Sequence, residues 1–267
     1  MHPTITIAKR AALSAGKIVL RHFERLDKIA VNIKQHNDFV SEVDIQSEQD
    51  IIRNLRKIYP NHVIIAEESG LSTGGDDDCQ WLIDPLDGTT NYLHGLPHFA
   101  ISIAFRYKGK VESAVIYDPL RQEIFTASRG AGAQLNDRRI RVKVLAGLDN
   151  ALLGTGFPFR YPQHRQAYLQ MFDTLLSHCS DIRRTGAAAL DLAYIASGRL
   201  DGFWEIGLKE WDIAAGALIV QEAGGLVSDF AGGNAFLKTG NVVAGSPKVF
   251  KGVLTAIQPH LTPQLNR

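Results

Sequence analysis

Apolar residues recur along this chain in two rhythms, one of three to four residues and one of two, and their succession predicts a mixed helix-and-strand protein. Ile5, Ala8, Ala12, Ala15, Val19 and Phe23 repeat at helical spacing, so the chain opens with an amphipathic helix. A second helix is expected over residues 45–59, with Ile51, Ile52, Leu55 and Ile58 on its buried face and Pro60 ending it. Residues 63–66 and 81–83 read as short strands. Residues 100–107 and 111–117 are β-rich runs separated by Lys108-Gly109-Lys110, which predicts a hairpin, and a strand over 123–127 extends an antiparallel sheet.

The second half changes rhythm. Helices expected over 163–179, 187–197, 213–223 and 247–257 alternate with short strands over 181–184, 202–205, 226–228 and 242–244. The pattern is that of an α+β half followed by an α/β half. The boundary falls near residues 140–150, giving units of 1–145 and 146–267, although no linker composition marks it.

Composition narrows the class. The chain has 267 residues, 45% apolar and 21% charged, the proportions of a globular protein with a sizeable core. Lys plus Arg (29) nearly cancels Asp plus Glu (28), so the basic field of a nucleic-acid binder is missing and no direct nucleic-acid binding is expected. No run of about 20 apolar residues could span a bilayer, so no membrane association is expected. Lys17 interrupts the stretch after Lys9-Arg10 before a signal-peptide core can form. The two cysteines, Cys79 and Cys179, form no CxxC, and His178 beside Cys179 completes no zinc pattern. A cytoplasmic, reducing setting is the expectation.

Four groups of acidic residues sit at the ends of predicted elements, where a rigid scaffold can aim them. Glu67-Glu68 follows one strand; Asp84 follows another, with Asp87 three residues on; Asp212 starts a helix; Asp38 and Asp44 flank a segment before the second helix. In Asp84-Pro85-Leu86-Asp87, Pro85 disfavours simple continuation of the strand. A turn there brings two carboxylates and the Leu86 carbonyl together, oxygen donors of the kind that suit Mg²⁺. Gly88-Thr89-Thr90 follows with flexible backbone, hydroxyls and a helix start, which favours an anion such as phosphate. Metal ligands and a phosphate cradle in one run point to phosphoryl chemistry.

Each feature also has a plainer reading. Asp-Pro and Asp-Gly are common turn formers, and Thr-Thr caps helices. Asp212 alone reads as a helix cap, Glu67-Glu68 as a solvated loop, and Asp76-Asp77-Asp78 beside Gly74-Gly75 as an exposed loop. Spacing alone leaves the run Asp84–Thr90 open between structure and catalysis. Gly130-Ala131-Gly132 lacks the third glycine of a dinucleotide loop, and no Walker A, HExxH or GxSxG motif occurs. His94 and His98, near that run, read as packing residues, with a substrate or rim role as the alternative.

In combination, however, Asp38-Phe39-Val40-Ser41-Glu42-Val43-Asp44, Glu67-Glu68-Ser69, residues 81–91 and Trp211-Asp212-Ile213-Ala214-Ala215-Gly216 resemble the inositol monophosphatase family over essentially the whole chain. Asp38-Phe39-Val40, Arg183-Arg184-Thr185-Gly186 and Ser228-Asp229-Phe230 are similar to its bacterial SuhB branch. The resemblance implies a layered αβαβα sandwich. It implies hydrolysis of inositol 1-phosphate and related small phosphate monoesters by a metal-activated water, with more than one Mg²⁺ and sensitivity to Li⁺. It implies Glu67, Asp84, the Leu86 carbonyl, Asp87 and Asp212 as metal ligands, with Glu67, Thr89 and Asp44 serving catalysis. Asp87, Gly88, Thr89, Gly186, Ala188, Glu205 and Asp212 would contact substrate. Lys209 stands where the animal enzymes have histidine, and Ala187 where they have threonine, which leaves a sugar, glycerol or nucleotide phosphate open as the ester. The resemblance further implies a homodimer. For the SuhB branch it implies RNA polymerase or antitermination factors of ribosomal RNA transcription as partners.

Overall fold

A computed structural model of the protein describes residues 3–26, 31–35, 38–72 and 74–266, with backbone alone for 31–35, 38–40 and 72. The first helix, α1 (Pro3–Phe23), follows its apolar rhythm and buries Ile5, Ala8, Ala12, Ala15 and Val19. A short antiparallel hairpin, β1 (Val31–Gln35) and β2 (Asp38–Ser41), leads into α2 (Glu42–Arg56). That helix stops at Arg56, short of the expected residue 59. Ile51 and Leu55 are buried, Ile52 is half-buried, and Ile58 lies past the helix end with 52% of its surface exposed.

An eight-stranded mixed sheet comes next. Its strands are β3 (His62–Ala66), β4 (Gly70–Ser72), β5 (Asp76–Asp87), β6 (Ala100–Tyr107), β7 (Lys110–Asp118), β8 (Glu123–Ser128), β9 (Gly132–Leu135) and β10 (Arg138–Arg139), in spatial order β10-β9-β8-β7-β6-β5-β3-β4. Only β3 and β5 run parallel. The expected β6–β7 hairpin is present, and both Lys108 and Gly109 have positive φ, the mirror-image turn whose twist suits paired strands.

Strand β5 corrects two expectations. It begins at Asp76, so the triple aspartate is the exposed start of a strand rather than a loop, and it continues through Pro85. Pairing with β6 lapses between Asp84 and Asp87, so the missing proline N–H leaves no ladder bond unmade. A short helix, α3 (Thr89–Leu93), follows directly.

The second sheet has order β12-β11-β13-β15-β14, from β11 (Leu152–Thr155), β12 (Asp181–Arg183), β13 (Gly202–Glu205), β14 (Leu226–Ser228) and β15 (Val242–Gly245). Its helices are α4 (Arg165–Leu176), α5 (Ala188–Ala196), α6 (Glu210–Glu222), α7 (Phe236–Thr239) and α8 (Pro247–Ile257). Pleat alternation distributes these elements into layers. Trp81, Ile83, Ile101 and Phe105 face α1 and α2, whereas Leu82, Ala100, Ala104 and Ile116 face α5 and α6. In the second sheet Phe203 and Ala244 face α5 and α6 from the other side, and Leu153, Trp204 and Val243 pack on α4 and α8. The result is a layered α+β fold, helices–sheet–helices–sheet–helices, with α5 and α6 shared between both sheets. Among the described residues no helix is long and apolar enough to cross a membrane. Cys79 and Cys179 are unpaired thiols.

Candidate active site

The ends of β3 and β5 and the starts of α3, α5 and α6 meet at one cleft. It is lined by Glu67, Asp84, Leu86, Asp87, Gly88, Thr89, Gly186, Ala188, Glu205 and Asp212. The residues named from the sequence as metal and substrate contacts thus line one cavity. Asp44, expected beside Thr89, lies just beneath it.

Strand pairing sets the frame. The Glu67 amide donates to the Ile83 carbonyl, so the end of β3 sits beside the end of β5. Asp84 Oδ1 accepts the Leu86 N–H at 2.9 Å, which forms the tight turn expected at Pro85 within the strand. Asp87 Oδ2 accepts the Ala189 N–H at 2.7 Å, in the first turn of α5. Asp212 occupies the third position of α6, and its Oδ2 accepts the Lys209 N–H at 2.8 Å. Asp212 is therefore both a helix cap and a cleft residue, so the two readings of it are compatible. Lys209 is itself exposed.

Electrostatics mark the cluster as costly in isolation. Burial pushes the Asp84 carboxyl well above the usual carboxylate range, and Glu67, Asp87 and Asp212 add repulsion. Asp87 is raised in the same direction, by burial first and then by Asp212. Like charges held this closely call for a cation or for protons. The donors are four carboxylates and one carbonyl, all oxygen, which is the chemistry of a hard divalent cation and not of zinc or copper.

Helix α2 underpins the cleft with one face. Ser41 caps it, donating its N–H (2.8 Å) and its hydroxyl (2.5 Å) to Asp44 Oδ2. Thr89 Oγ1 approaches the other oxygen, Asp44 Oδ1, at 3.1 Å, and the Leu86 carbonyl at 3.0 Å. Burial raises the Asp44 carboxyl, and the bonds from Ser41 and Thr89 partly offset this. Three residues on from Asp44, Ser47 donates to the Pro85 carbonyl at 2.9 Å. Glu48 accepts the Glu68 and Ser69 amides at 2.8 and 2.9 Å. Asp44, Ser47 and Glu48 lie at helical spacing, so a single stripe of α2 holds three strand ends. The side chain of Asp38 lies outside the described residues.

The opposite wall is built on glycine. Gly154 and Gly156 point to the same side of β11's end. A Cβ on Gly154 would lie 3.4 Å from the Asp191 carboxyl carbon, and one on Gly156 would overlap the Glu205 carboxylate. Both acids are buried. Burial pushes Asp191 up to about 7, and it raises Glu205 well above its usual range, with Asp191 and Asp212 adding repulsion. Arg184, at the mouth, offsets both. Ser47, Glu48, Gly156 and Asp191 were not legible in the sequence as site residues; only the Gly-Thr-Gly at 154–156 signals close backbone approach.

His98 packs edge-on against Tyr194 away from the cleft, and His94 is exposed. A second group, His62, Asp76 and Cys79, holds metal-ligating atom types within 4.8 Å. There the Trp81 indole donates to His62 Nδ1 at 3.1 Å, which leaves the ring proton on Nε2. Burial and the hydrogen bond to Asp76 push the Cys79 thiol up to about 11. A metal here would have to displace the Trp81 N–H from His62 Nδ1 and the proton from Cys79.

Comparison with known proteins assigns the fold to a family. The sequence pattern of the inositol monophosphatase family matches residues 1–262. A Pseudomonas aeruginosa protein named Nus factor SuhB is 59% identical over 271 aligned residues, covering 100% of both chains. The crystal structure of suhB from Bartonella henselae superposes with a TM-score of 0.94 at 41% identity, over 97% of this chain and 99% of that one. An inositol monophosphatase from Anabaena gives 0.85 at 35% identity, over 95% and 94%. The chain belongs to the inositol monophosphatase family.

Proposed function

We propose that this family member hydrolyses small phosphate monoesters, inositol 1-phosphate among them, with Mg²⁺ and by direct attack of water on phosphorus. The observation that carries this reading is the convergence of Glu67, Asp84, Asp87 and Asp212 beside the Gly88-Thr89 backbone in one cleft. The oxygen-only donor set fits Mg²⁺, and Glu67, Asp84, the Leu86 carbonyl, Asp87 and Asp212 would hold it. Bound there, Mg²⁺ would supply a Lewis acid that acidifies water and offsets charge on the leaving oxygen. Thr89 and Asp44 form the proton-holding pair beneath Glu67, which orients the attacking water. Gly88 and Thr89 face the phosphate, and Gly186, Ala188 and Glu205 face the alcohol. We assign the protein to the cytoplasm as a homodimer.

The test is phosphate release from a panel of inositol, glycerol, sugar and nucleotide monophosphates, with Mg²⁺ present, absent and challenged by Li⁺. Mg²⁺-dependent turnover of inositol 1-phosphate is expected. Full activity in an Asp84→Asn, Asp87→Asn double variant would sink the reading.

A second reading is favoured by the name of the Pseudomonas relative, a Nus factor at 59% identity. In it the chain acts through surface residues in transcription antitermination, bound to RNA polymerase or its factors. Retention of the cellular role by the double variant, and co-purification with RNA polymerase, would make that binding the primary function.

A further inference from the structure

The cleft has two walls that come from distant parts of the chain, and one amide joins them. Asn91, in α3 two residues after Thr89, donates one Nδ2 hydrogen to the His98 carbonyl at 2.9 Å and the other to the Thr185 carbonyl at 2.8 Å. Asn91 is buried, at 7% exposure, so its amide hydrogens have these two carbonyls for partners in place of water. Beyond Thr185 the chain turns through Gly186 and Ala187 into α5. Thr185 also donates its hydroxyl to Asp191 Oδ1 at 2.6 Å, which fastens the turn to the buried first turn of that helix. The walls touch: a Cβ on Gly88 would lie 3.3 Å from both the Gly186 carbonyl oxygen and the Ala187 Cβ.

Side-chain chemistry at position 91 is narrowly set by this arrangement. Only a short side chain with two N–H hydrogens bridges two carbonyls. Aspartate has the same shape and no donor when ionised, and it would turn a bridge into repulsion between oxygens. We infer that Asn91 is a positioning residue, fixing the gap between the phosphate-facing run Gly88–Thr89 and the alcohol-facing wall 185–188, with the Thr185–Asp191 bond as the second pin of that wall. The inference rests on the phosphatase reading for its kinetic consequence, though not for the bridge itself. A gap set wrongly weakens the grip on the alcohol portion more than it disturbs Glu67 and Asp84, whose strand ends α2 holds through Glu48 and Ser47, while Asp87 alone of the cluster meets α5, at the Ala189 amide.

The test compares Asn91→Asp, Thr185→Val and Thr185→Ser with the wild-type protein on the best ester of the panel, together with hydrogen exchange of amides 185–191. Asn91→Asp is expected to raise KM by about tenfold or more while kcat changes by less than about threefold. Thr185→Val should shift KM in the same direction by less, and Thr185→Ser should restore it. Exchange of the 185–191 amides should accelerate in Asn91→Asp. Wild-type KM in Asn91→Asp overturns the inference, as does a loss of folded protein or of kcat with KM unchanged. A wild-type protein inactive on every ester refutes the phosphatase reading instead. In that case unchanged exchange in Asn91→Asp still overturns the bridge, and faster exchange supports it.

Discussion

The Thr89 hydroxyl stands 3.1 Å from Asp44 Oδ1 and 3.0 Å from the Leu86 carbonyl, with one proton for two acceptors. In the proposed mechanism the Leu86 carbonyl would help hold Mg²⁺, and Asp44 would then be the acceptor of the Thr89 proton. Thr89→Val removes the hydroxyl at constant volume and should lower kcat by about 10²–10⁴-fold, the range of a lost acid–base group. Thr89→Ser should keep most of the activity. Steady-state kinetics at saturating Mg²⁺ decide it, and an active valine variant would remove Thr89 from the mechanism.

The carboxylate cluster makes a stability prediction of opposite sign to its activity prediction. Asp84 and Asp87 hold protons more tightly folded than unfolded, because burial raises both. Without a cation, this cluster's contribution to stability is therefore fully present at and below the unfolded carboxyl range, about pH 4, and is lost as pH rises and the buried groups ionise. Asp84→Asn should raise the Tm of metal-free protein at pH 8 while abolishing both turnover and the Tm gain from Mg²⁺. Melting curves with Mg²⁺ and with chelator, from pH 5 to 8, check both halves.

Glu48 carries no assigned chemistry, yet it is 2% exposed and accepts two amides of the turn after Glu67. Glu48→Ala should free that turn and weaken Mg²⁺ affinity by about 10–100-fold, the usual size of such an outer-sphere loss. Glu48→Gln keeps one acceptor oxygen and should fall between. Mg²⁺ titration of activity gives the answer.

At the other wall, Gly156→Ala would drive a methyl group into the Glu205 carboxylate. The carboxylate has to swing aside, so KM for a polyol ester should rise by about tenfold with kcat largely kept. An ester with no hydroxyl near that wall should be affected less, which separates a specificity effect from general damage.

What could be read in the sequence divides along physical lines. Helices α1 and α8 were legible because one face of each is apolar at a regular period, α5 and α6 because they are apolar nearly all round, and β13 to β15 because short aromatic or β-branched runs stand between turn residues. Strand β5 was misread at both ends. Its start is acidic, and Pro85 signals an end, whereas a lapse in pairing removes the proline's cost there. Ile58 continues the helical period but lies past Arg56, where no neighbour covers it. The carboxylates were legible because four of them sit at element ends in a recognisable order. Ser47 and Glu48 were not, since polar residues on a helix near Gln46 and Gln49 look solvated until the strand ends they hold are in place. Asp191 was hidden for a related reason: an acid in a helix's first turn has an ordinary explanation in the helix dipole.

The shared middle layer has a consequence for how the chain is made. The eight-stranded sheet is complete at Arg139, but the face carrying Leu82, Ala100, Ala104 and Ile116 gains its cover only with α5 and α6, which end at Glu222. A ribosome adding about 5–20 residues per second needs roughly 4–17 s to make that stretch. For those seconds the nascent chain presents a broad apolar sheet, so premature termination between these points yields a sticky fragment. Chaperone capture and aggregation should concentrate in that window of synthesis.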